Sequence, residues 1–397
     1  MTKISLTDNL TYDIESAVLE RYQAGARETE ACLCAPVAYE EGYLEIIPPE
    51  LIEKDYGCGD PSRYAKAGET VVDLGSGSGK ACYILAQKVG ANGRVIGVDF
   101  NDEMLGLARK YQPEIAAQLG YNNVQFVKGK IQDLALNLEL VQDWLAAHPI
   151  TTVEQVAHFE AEMAKLRQTQ TLIPDNTADL VVSNCVLNLV RPQDKKQLFA
   201  EIYRVLKRGG RAVIADIVCD EDPTPEILND PSLWSGCIAG AFQEAEFFKM
   251  FADAGFYGIE ILERQEKPWQ VIDGIEFRSV TVRAFKGKDG ACWERNQAVI
   301  YTGPWLQVQD DDNHTYVRGE RTAVCDKTFG ILTNPDGPYA GQFAPVTPLQ
   351  EIPLAEAKPF DCSRSSWRHP QETKGLDYRV TMMSDGSGCC DPNSGCC

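Results

Sequence analysis

The chain has 397 residues, of which 44% are hydrophobic, and a formal net charge of −20 at pH 7. A chain of this length can bury a substantial core, and at ~100 to 200 residues per domain it predicts two domains or one enlarged domain. The acidic charge balance argues against RNA or DNA as a partner, because nucleic-acid affinity depends on clustered Lys and Arg.

The first residues, MTKISLTDNLTYDIES, contain no apolar segment typical of a secretion signal, and no run of about 18 apolar residues occurs in the chain. We therefore expect a cytoplasmic protein without a membrane segment, with a monomer as the default state. In a reducing compartment, fourteen cysteines are better explained by core packing, soft-ion or metalloid binding, or transient catalytic disulfides than by a disulfide framework.

Alternating apolar runs and helical patterns between residues 70 and 286 predict an α/β domain with a Rossmann-like sheet. The strands are expected at 70–74, 94–100, 123–128, 178–183, 211–216, 258–262 and 277–285. Apolar spacings of three and four predict helices at 80–89, 102–112, 193–206 and 244–254. The sequence thus predicts a seven-stranded sheet covered by helices.

The remaining segments differ in character from this domain. Residues 1–69 are expected to form a helix at 10–26 and a cysteine-bearing loop. Residues 134–175 are interpreted as an insertion of two amphipathic helices interrupted at Pro149. Residues 287–379 contain short β-like runs, including TYVRGERTAVCDKTFGILT, and predict a small β-rich domain. Residues 380–397 are rich in Gly, Ser and Cys, and are expected to form a flexible tail.

The segment VVDLGSGSGK predicts a nucleotide-cofactor site between a strand and a helix. Asp73, Gly75, Ser76, Gly77 and Gly79 are its candidate residues. Glycines let a tight turn approach a ligand closely, and the following helix start offers backbone N–H donors. A glycine-rich turn that serves only the fold is the alternative.

A second strand, RVIGVDF, precedes the next predicted helix, and its last residues, Asp99 and Phe100, are further candidate cofactor-binding residues. A carboxylate at this position can accept hydrogen bonds from two ribose hydroxyls. Together with the glycine-rich turn, this acidic residue makes the cofactor prediction strong.

The spacing D-L-G-S-G-S-G resembles the first motif of class I S-adenosylmethionine methyltransferases more than the GxGxxG of NAD enzymes. This resemblance implies S-adenosylmethionine as the cofactor. It further implies that Ile131 and Gln132, in FVKGKIQDL, contact the adenine, and that Asn184 also borders the cofactor.

Several segments in order are similar to arsenite methyltransferases. They are DYGCG (55–59), VVDLGSGSGK (71–80), VVSNCVLNLV (181–190), YRVLKRGG (203–210) and WSGCIAGA (234–241). By position, Cys58, Cys185 and Cys237 correspond to the conserved thiols of that family, which implies that they bind As(III). The extended C-terminal domain also resembles that of the subgroup associated with arsenosugar formation.

The chemistry of trivalent arsenic fits this resemblance. As(III), free or as a glutathione conjugate, is a soft centre that prefers sulfur ligands. Cys185 follows the fourth predicted strand, where α/β sheets place their ligand crevice. Cys237 is expected near a helix start, facing the same crevice.

The resemblance also implies a redox role for Cys58. Its partner in a disulfide would be Cys32 or Cys34, between which the sequence leaves the choice open, and thioredoxin or glutathione would reset the pair. The terminal Cys389, Cys390, Cys396 and Cys397 could capture As(III) and pass it on.

The other cysteines are assigned to the core. Cys82 lies in a predicted helix, and Cys219, Cys292, Cys325 and Cys362 have no partner at a recognisable spacing. Two alternative functions stay open: a small-molecule C- or O-methyltransferase, and a cysteine-rich metalloid-binding protein.

Overall fold

The computed structural model describes residues 13–28, 39–363 and 367–374. The chain divides into two units, Met1–Gly287 and Lys288–Cys397. Within the described residues, no helix is long and apolar enough to cross a membrane.

The first unit alternates strands and helices. Its strands are β1 Thr70–Leu74, β2 Arg94–Asp99, β3 Val124–Lys128, β4 Ala178–Asn184, β5 Leu206–Cys219, β6 Phe242–Gln243, β7 Tyr257–Arg264, β8 Gln270–Ile272 and β9 Ile275–Phe285. Its helices are α1 Ile14–Arg27, α2 Pro49–Glu53, α3 Lys80–Val89, α4 Asp102–Leu119, α5 Leu138–Ala147, α6 Val153–Thr169, α7 Pro192–Val205, α8 Pro225–Leu228, α9 Pro231–Ser235 and α10 Glu244–Asp253.

The strands of the first unit form one mixed sheet in the order β3-β2-β1-β4-β5-β9-β7. The five strands from β3 to β5 pair in parallel, whereas β9 is antiparallel to β5 and to β7. These seven strands are the predicted ones, so the predicted α/β fold is confirmed. The short strands β6 and β8 were not foreseen, and they pair with β5 and β9.

The centre of the sheet is buried on both faces. In β5, the run from Ala212 to Cys219 is no more than 1% exposed. Burying a Val, Ile or Leu side chain stabilises a fold by ~1.5 to 3 kcal/mol. Apart from Asp216, this run is apolar, as is typical of parallel sheets that helices cover on both sides.

Helix α4 is longer than predicted. The expected end was residue 112, but the helix continues through Pro113 to Leu119. It ends at Gly120, whose φ of 79° is the left-handed conformation that commonly stops a helix. The start was predicted correctly, because the Asn101 side chain accepts hydrogen bonds from the amides of Glu103 and Met104.

The predicted insertion contains the two expected helices. Helices α5 and α6 lie on either side of Pro149 and share a small apolar cluster with Leu136, Val141, Met163 and Leu166 at its centre. Arg167 forms a salt bridge with Asp133 at 2.8 Å. The insertion therefore has its own packing beside the sheet.

The second unit has small sheets, as predicted. Its strands are β10 Trp293–Glu294, β11 Ala298–Tyr301, β12 Gln307–Gln309, β13 Thr315–Val317, β14 Arg321–Ala323, β15 Phe343–Val346 and β16 Lys358–Pro359, and its helices are α11 Asp326–Thr333 and α12 Pro370–Lys374. They form the pairs β10-β16 and β12-β13 and the three-stranded sheet β14-β11-β15.

One part of the β prediction was wrong. The end of the run TYVRGERTAVCDKTFGILT forms α11, not a strand. The Cys325 sulfur caps its first turn by accepting from the Thr328 amide, and Leu332 is buried in the apolar cluster of this unit. Packing and capping thus override the β propensity of the sequence.

Candidate active site

A cavity of about 1080 Å³ opens at the carboxyl ends of the parallel strands. Its lining includes residues that follow β1, β2 and β4. The chain order reverses between β1 and β4, and ligands of open α/β sheets bind at such a switch point. The residues lining the cavity include ten predicted site residues, namely Asp73, Gly75, Ser76, Gly77, Asp99, Phe100, Ile131, Gln132, Asn184 and Cys185.

The glycine-rich turn borders this cavity. Gly77 has a φ of 50°, and a Cβ added there would meet no atom within 4 Å. The turn therefore leaves space for a ligand close to the backbone. Gly79, also predicted to bind the cofactor, lies outside the cavity lining, where it caps the start of α3.

Two buried carboxylates mark the strand ends. Burial raises the pKa of Asp73 to about 7, although a hydrogen bond from the Cys82 thiol acts in the opposite direction. Burial also raises the pKa of Asp99, whose two oxygens accept from the amides of Gly77 and Asn101 at 2.9 Å. Both carboxylates would gain from a positively charged or hydroxyl-bearing ligand.

Two further polar atoms support a bound nucleotide. The Ser76 hydroxyl and the Asn101 side-chain nitrogen are buried and have no hydrogen-bond partner, and both residues line the cavity. Buried polar groups without partners are rare in folded proteins, so a ligand is their expected partner. Sequence reasoning missed Asn101, although its position before a predicted helix was a usable signal.

The N-terminal helix also borders the cavity, which the sequence did not predict. Glu15, Val18 and Tyr22 of α1 are lining residues. Glu15 accepts hydrogen bonds from Lys130 at 2.6 Å and from Gln132 at 3.3 Å. These long-range contacts have no local sequence signature.

Three cysteines from distant segments belong to one buried cluster, of which Cys185 lines the cavity, and we call Cys58, Cys185 and Cys237 the crevice thiols. Their exposed fractions are 7%, 3% and 1%. The sulfurs of Cys58 and Cys185 and a carboxylate oxygen of Asp216 lie within 4.8 Å of one another. The Cys237 thiol donates to the Cys185 carbonyl oxygen at 2.9 Å.

The Asn184 side chain holds the loop that carries Cys58. Its oxygen accepts from the amides of Cys58 and Gly59 at 2.8 and 3.1 Å, and its nitrogen donates to the Gly59 carbonyl at 2.7 Å. A Cβ on Gly57 would lie 2.1 Å from the Asn184 nitrogen. Only glycine therefore permits this close approach.

Cys185 and Cys237 both have left-handed backbone conformations, with φ of 61° and 62°. Such values are uncommon for residues other than glycine and often occur at functional sites. The prediction of a helix start near Cys237 was wrong, because this residue follows the end of α9. A left-handed residue directly after a helix is a common way to terminate it.

Asn188 connects the elements that carry the crevice thiols. Its side-chain nitrogen donates to the carbonyls of Ile217 and Cys237. Its amide and that of Leu187 donate to Asp216. The segment VLNLV, which contains Asn188, gives no local sign of this positioning role.

A buried acid lies beside two of these thiols. Burial raises the pKa of Asp216 to about 7. Burial also lowers the pKa of Lys195 to about 8, and its ammonium donates to the Gly240 carbonyl at 2.6 Å. The pocket of the thiols is therefore poorly solvated.

The other cysteine predictions fall into three groups. Cys82 and Cys219 are fully buried, as predicted. Cys32, Cys34 and the tail residues Cys389, Cys390, Cys396 and Cys397 lie outside the described residues. Cys292, Cys325 and Cys362 were assigned to the core, but only Cys325 is buried, and the three sulfurs lie within 4.8 Å of one another.

The strand order, the glycine-rich turn and the acidic ends of β1 and β2 define an S-adenosylmethionine-dependent methyltransferase. Residues 65–156 and 146–255 match a family model described as a methyltransferase domain. The arsenite methyltransferase of Aquipseudomonas alcaligenes is 32% identical over 80% of this chain and 86% of that protein. The chain therefore belongs to the arsenite methyltransferase family, which confirms the resemblance seen in the sequence.

Further comparisons agree with this assignment. The arsenite methyltransferase of Homo sapiens is 29% identical over 89% of this chain and 88% of that protein. The crystal structure of an arsenic(III) S-adenosylmethionine methyltransferase from Chlamydomonas reinhardtii matches with a TM-score of 0.53 and 26% identity, over 82% of this chain and all of that one. Residues 288–378 match a domain of unknown function, DUF8838.

Proposed function

We propose that this enzyme transfers the methyl group of S-adenosylmethionine to trivalent arsenic held by the crevice thiols. One observation carries the proposal: the sulfurs of Cys58 and Cys185, from separate segments, lie within 4.8 Å of each other beside the cofactor cavity, and the Cys237 thiol contacts the Cys185 carbonyl. Arsenite would exchange its hydroxyl groups for cysteine sulfurs, and each thiol proton would leave with a hydroxyl as water.

S-adenosylmethionine, when bound, supplies an electrophilic methyl group on a positively charged sulfur. The residues that would hold it are Asp73, Asp99 and Asn101, with the glycine-rich turn beneath. Asp73 would oppose the positive charge of the cofactor. The buried walls would exclude water from the transfer.

Thiol-bound As(III) keeps a lone pair, which would form the new carbon–arsenic bond as the carbon–sulfur bond of the sulfonium breaks. The chain would then contribute mainly by positioning, since holding two reactants at ~3 to 3.5 Å supplies much of the rate enhancement. Asn184 and Asn188 would fix the segments that carry the crevice thiols.

Methyl transfer oxidises arsenic to the pentavalent state, so two electrons must return before the next cycle. We propose that two cysteine thiols supply them by closing to a disulfide, with Cys58 as one member and Cys32 or Cys34 as the other. Thioredoxin or glutathione would reduce this disulfide by thiol exchange. The cycle needs a reducing compartment, which the cytoplasm provides.

The test is a methylation assay with arsenite, labelled S-adenosylmethionine and a thiol reductant, followed by separation of the arsenic species. We expect methylated arsenicals from the unchanged enzyme. Cys185→Ser should lower their formation by more than ~100-fold, because even residues behind a ligand shell cost 10- to 100-fold when changed.

Cys219→Ser is the matched control, because Cys219 is also buried in the apolar cluster of the crevice thiols. We expect this variant to methylate arsenite within twofold of the unchanged enzyme. Absence of any methylated arsenic would overturn the proposed function. Full activity of Cys185→Ser would instead refute the assignment of the thiols.

A further inference from the structure

The second unit contains a thiol site of its own. Cys292, Cys325 and Cys362, which we call the C-terminal thiol cluster, have sulfurs within 4.8 Å of one another. All three are free thiols. Cys325 is buried, and the other two are half-buried.

Three different elements bring these cysteines together. Cys292 directly precedes β10, and its carbonyl accepts from the amide of Phe360, just after β16. Cys325 caps α11, and its sulfur lies 3.2 Å from the Thr328 hydroxyl. Cys362 follows β16, so the antiparallel pair β10-β16 carries two of the sulfurs to the third.

Hydrogen bonds to its backbone hold Cys362 in position. A ring nitrogen of His314 lies 2.8 Å from the Cys362 carbonyl oxygen, and the other lies 2.9 Å from Asp310. Tyr316 donates to the same Asp310 carboxylate at 2.9 Å. Such supporting hydrogen bonds are typical of ligand shells around bound ions.

The three thiols are near enough to influence one another's protonation. Burial raises the pKa of the Cys362 thiol, and hydrogen bonds to the Cys292 and Cys325 thiols raise it further. A small cavity of about 240 Å³ borders the cluster, lined by residues that include His314, Cys325 and Cys362. The cluster thus lies at the wall of an open cavity.

Coordination chemistry selects the ion. Sulfur binds a borderline-soft ion such as zinc at ~2.3 Å, so one such centre can join sulfurs up to ~4.6 Å apart, and the cluster requires only a small adjustment. Zinc takes four ligands in structural sites. His314 is not available as the fourth ligand, because both of its ring nitrogens are already hydrogen-bonded. Among the described residues, the three cysteines are the only ligand side chains within 4.8 Å of one another at this position.

Charge points in the same direction. Three thiolates leave a divalent ion with a net charge of −1, which is costly beside a buried sulfur such as that of Cys325. A trivalent ion with three thiolates is neutral. Trivalent arsenic meets both conditions, since it takes three sulfurs and keeps a lone pair where a fourth ligand would bind.

We propose that the C-terminal thiol cluster is a second binding site for trivalent arsenic, which holds it as a neutral tris-thiolate. The proposal rests on the geometry of the second unit and not on the proposed methylation. It assigns a ligand class to the part of the chain that matches a domain of unknown function.

The test measures alkylation of Cys292 and Cys362 in the reduced full-length chain, by peptide mass spectrometry, with and without sodium arsenite. We expect arsenite to slow alkylation of both thiols at least tenfold. Cys325→Ser should abolish this protection, whereas Cys219→Ser, which changes a buried cysteine of the first unit, should retain it. Cys185→Ser should also retain it, which separates this proposal from the proposed function.

Because Cys325 caps α11, its replacement could unfold the second unit locally. Cys362→Ser therefore provides a second variant, with protection measured at Cys292 and unfolding followed by circular dichroism. Equal alkylation rates with and without arsenite in the unchanged chain would overturn the proposal. Protection by zinc chloride at lower concentrations than arsenite would overturn the assignment of a trivalent ion.

Discussion

The crevice thiols and the C-terminal thiol cluster use the same chemical group in different surroundings. The crevice thiols lie beside a cavity of about 1080 Å³ with buried carboxylates and polar atoms that lack partners. The C-terminal thiol cluster borders a cavity of only about 240 Å³. Converging sulfurs can bind a soft ion in either place, but only the first has room for a nucleotide cofactor beside them.

The two sites also differ in how the chain holds the sulfurs. Left-handed residues and the Asn184 side chain shape the first site, whereas strand pairing and a helix cap build the second. The other non-glycine residues with positive φ are Asn or Asp, which tolerate this conformation, so the two cysteines mark strain at the site for which we propose chemistry.

After the loss expected for Cys185→Ser, the largest effect comes from Asn184. Asn184→Ala removes the hydrogen bonds that hold the Cys58 loop, so arsenite methylation should fall by ~10- to 100-fold. The decrease should appear in kcat more than in the KM for S-adenosylmethionine. Steady-state kinetics measures both, with the exposed Asn122→Ala as a control that stays within twofold. An unchanged kcat would show that Cys58 does not depend on this support.

The next effect concerns the close contact at Gly57. Gly57→Ala places a Cβ 2.1 Å from the Asn184 nitrogen, which should lower the free energy of unfolding by ~1 to 3 kcal/mol. Gly106→Ala is the matched control, because a Cβ there meets nothing within 4 Å inside helix α4. That change should stabilise the chain by ~0.5 to 1 kcal/mol. Urea denaturation would measure both, and equal stability of the two variants would contradict the close contact.

The smallest expected effect is the pH dependence of cofactor affinity. Asp73 has a pKa raised to about 7 in the unliganded chain, so it becomes protonated as the pH falls through 7 and no longer attracts the positively charged cofactor. The dissociation constant of S-adenosylmethionine should therefore rise several-fold, by less than the tenfold that ~1.4 kcal/mol represents, between pH 8 and pH 6.

Asp73→Asn should bind S-adenosylmethionine more weakly at pH 8 and lose most of this pH dependence. The exposed Asp143→Asn should leave it unchanged. Isothermal titration calorimetry at several pH values measures the dissociation constants. A profile for Asp73→Asn that parallels the unchanged chain would assign the titration to another group.

Local sequence patterns were sufficient for most of the fold. Strand β1 and helix α3 have the predicted bounds, because alternation of apolar runs and a glycine-rich turn are both encoded within a few residues. The errors in predicted secondary structure lie where contacts with distant residues determine whether a segment is helical. Helix α4 passes Pro113, and α11 replaces a predicted strand.

The sequence by itself determined the methyltransferase fold, the cofactor turn and the family resemblance, since each depends on residues adjacent in the chain. Only the tertiary structure decided which thiols meet. Cys292, Cys325 and Cys362 have no spacing that predicts a site, and the support of Asn184 for Cys58 joins residues far apart in the chain. Such contacts arise from strand pairing and core packing across the whole chain, which no local periodicity records.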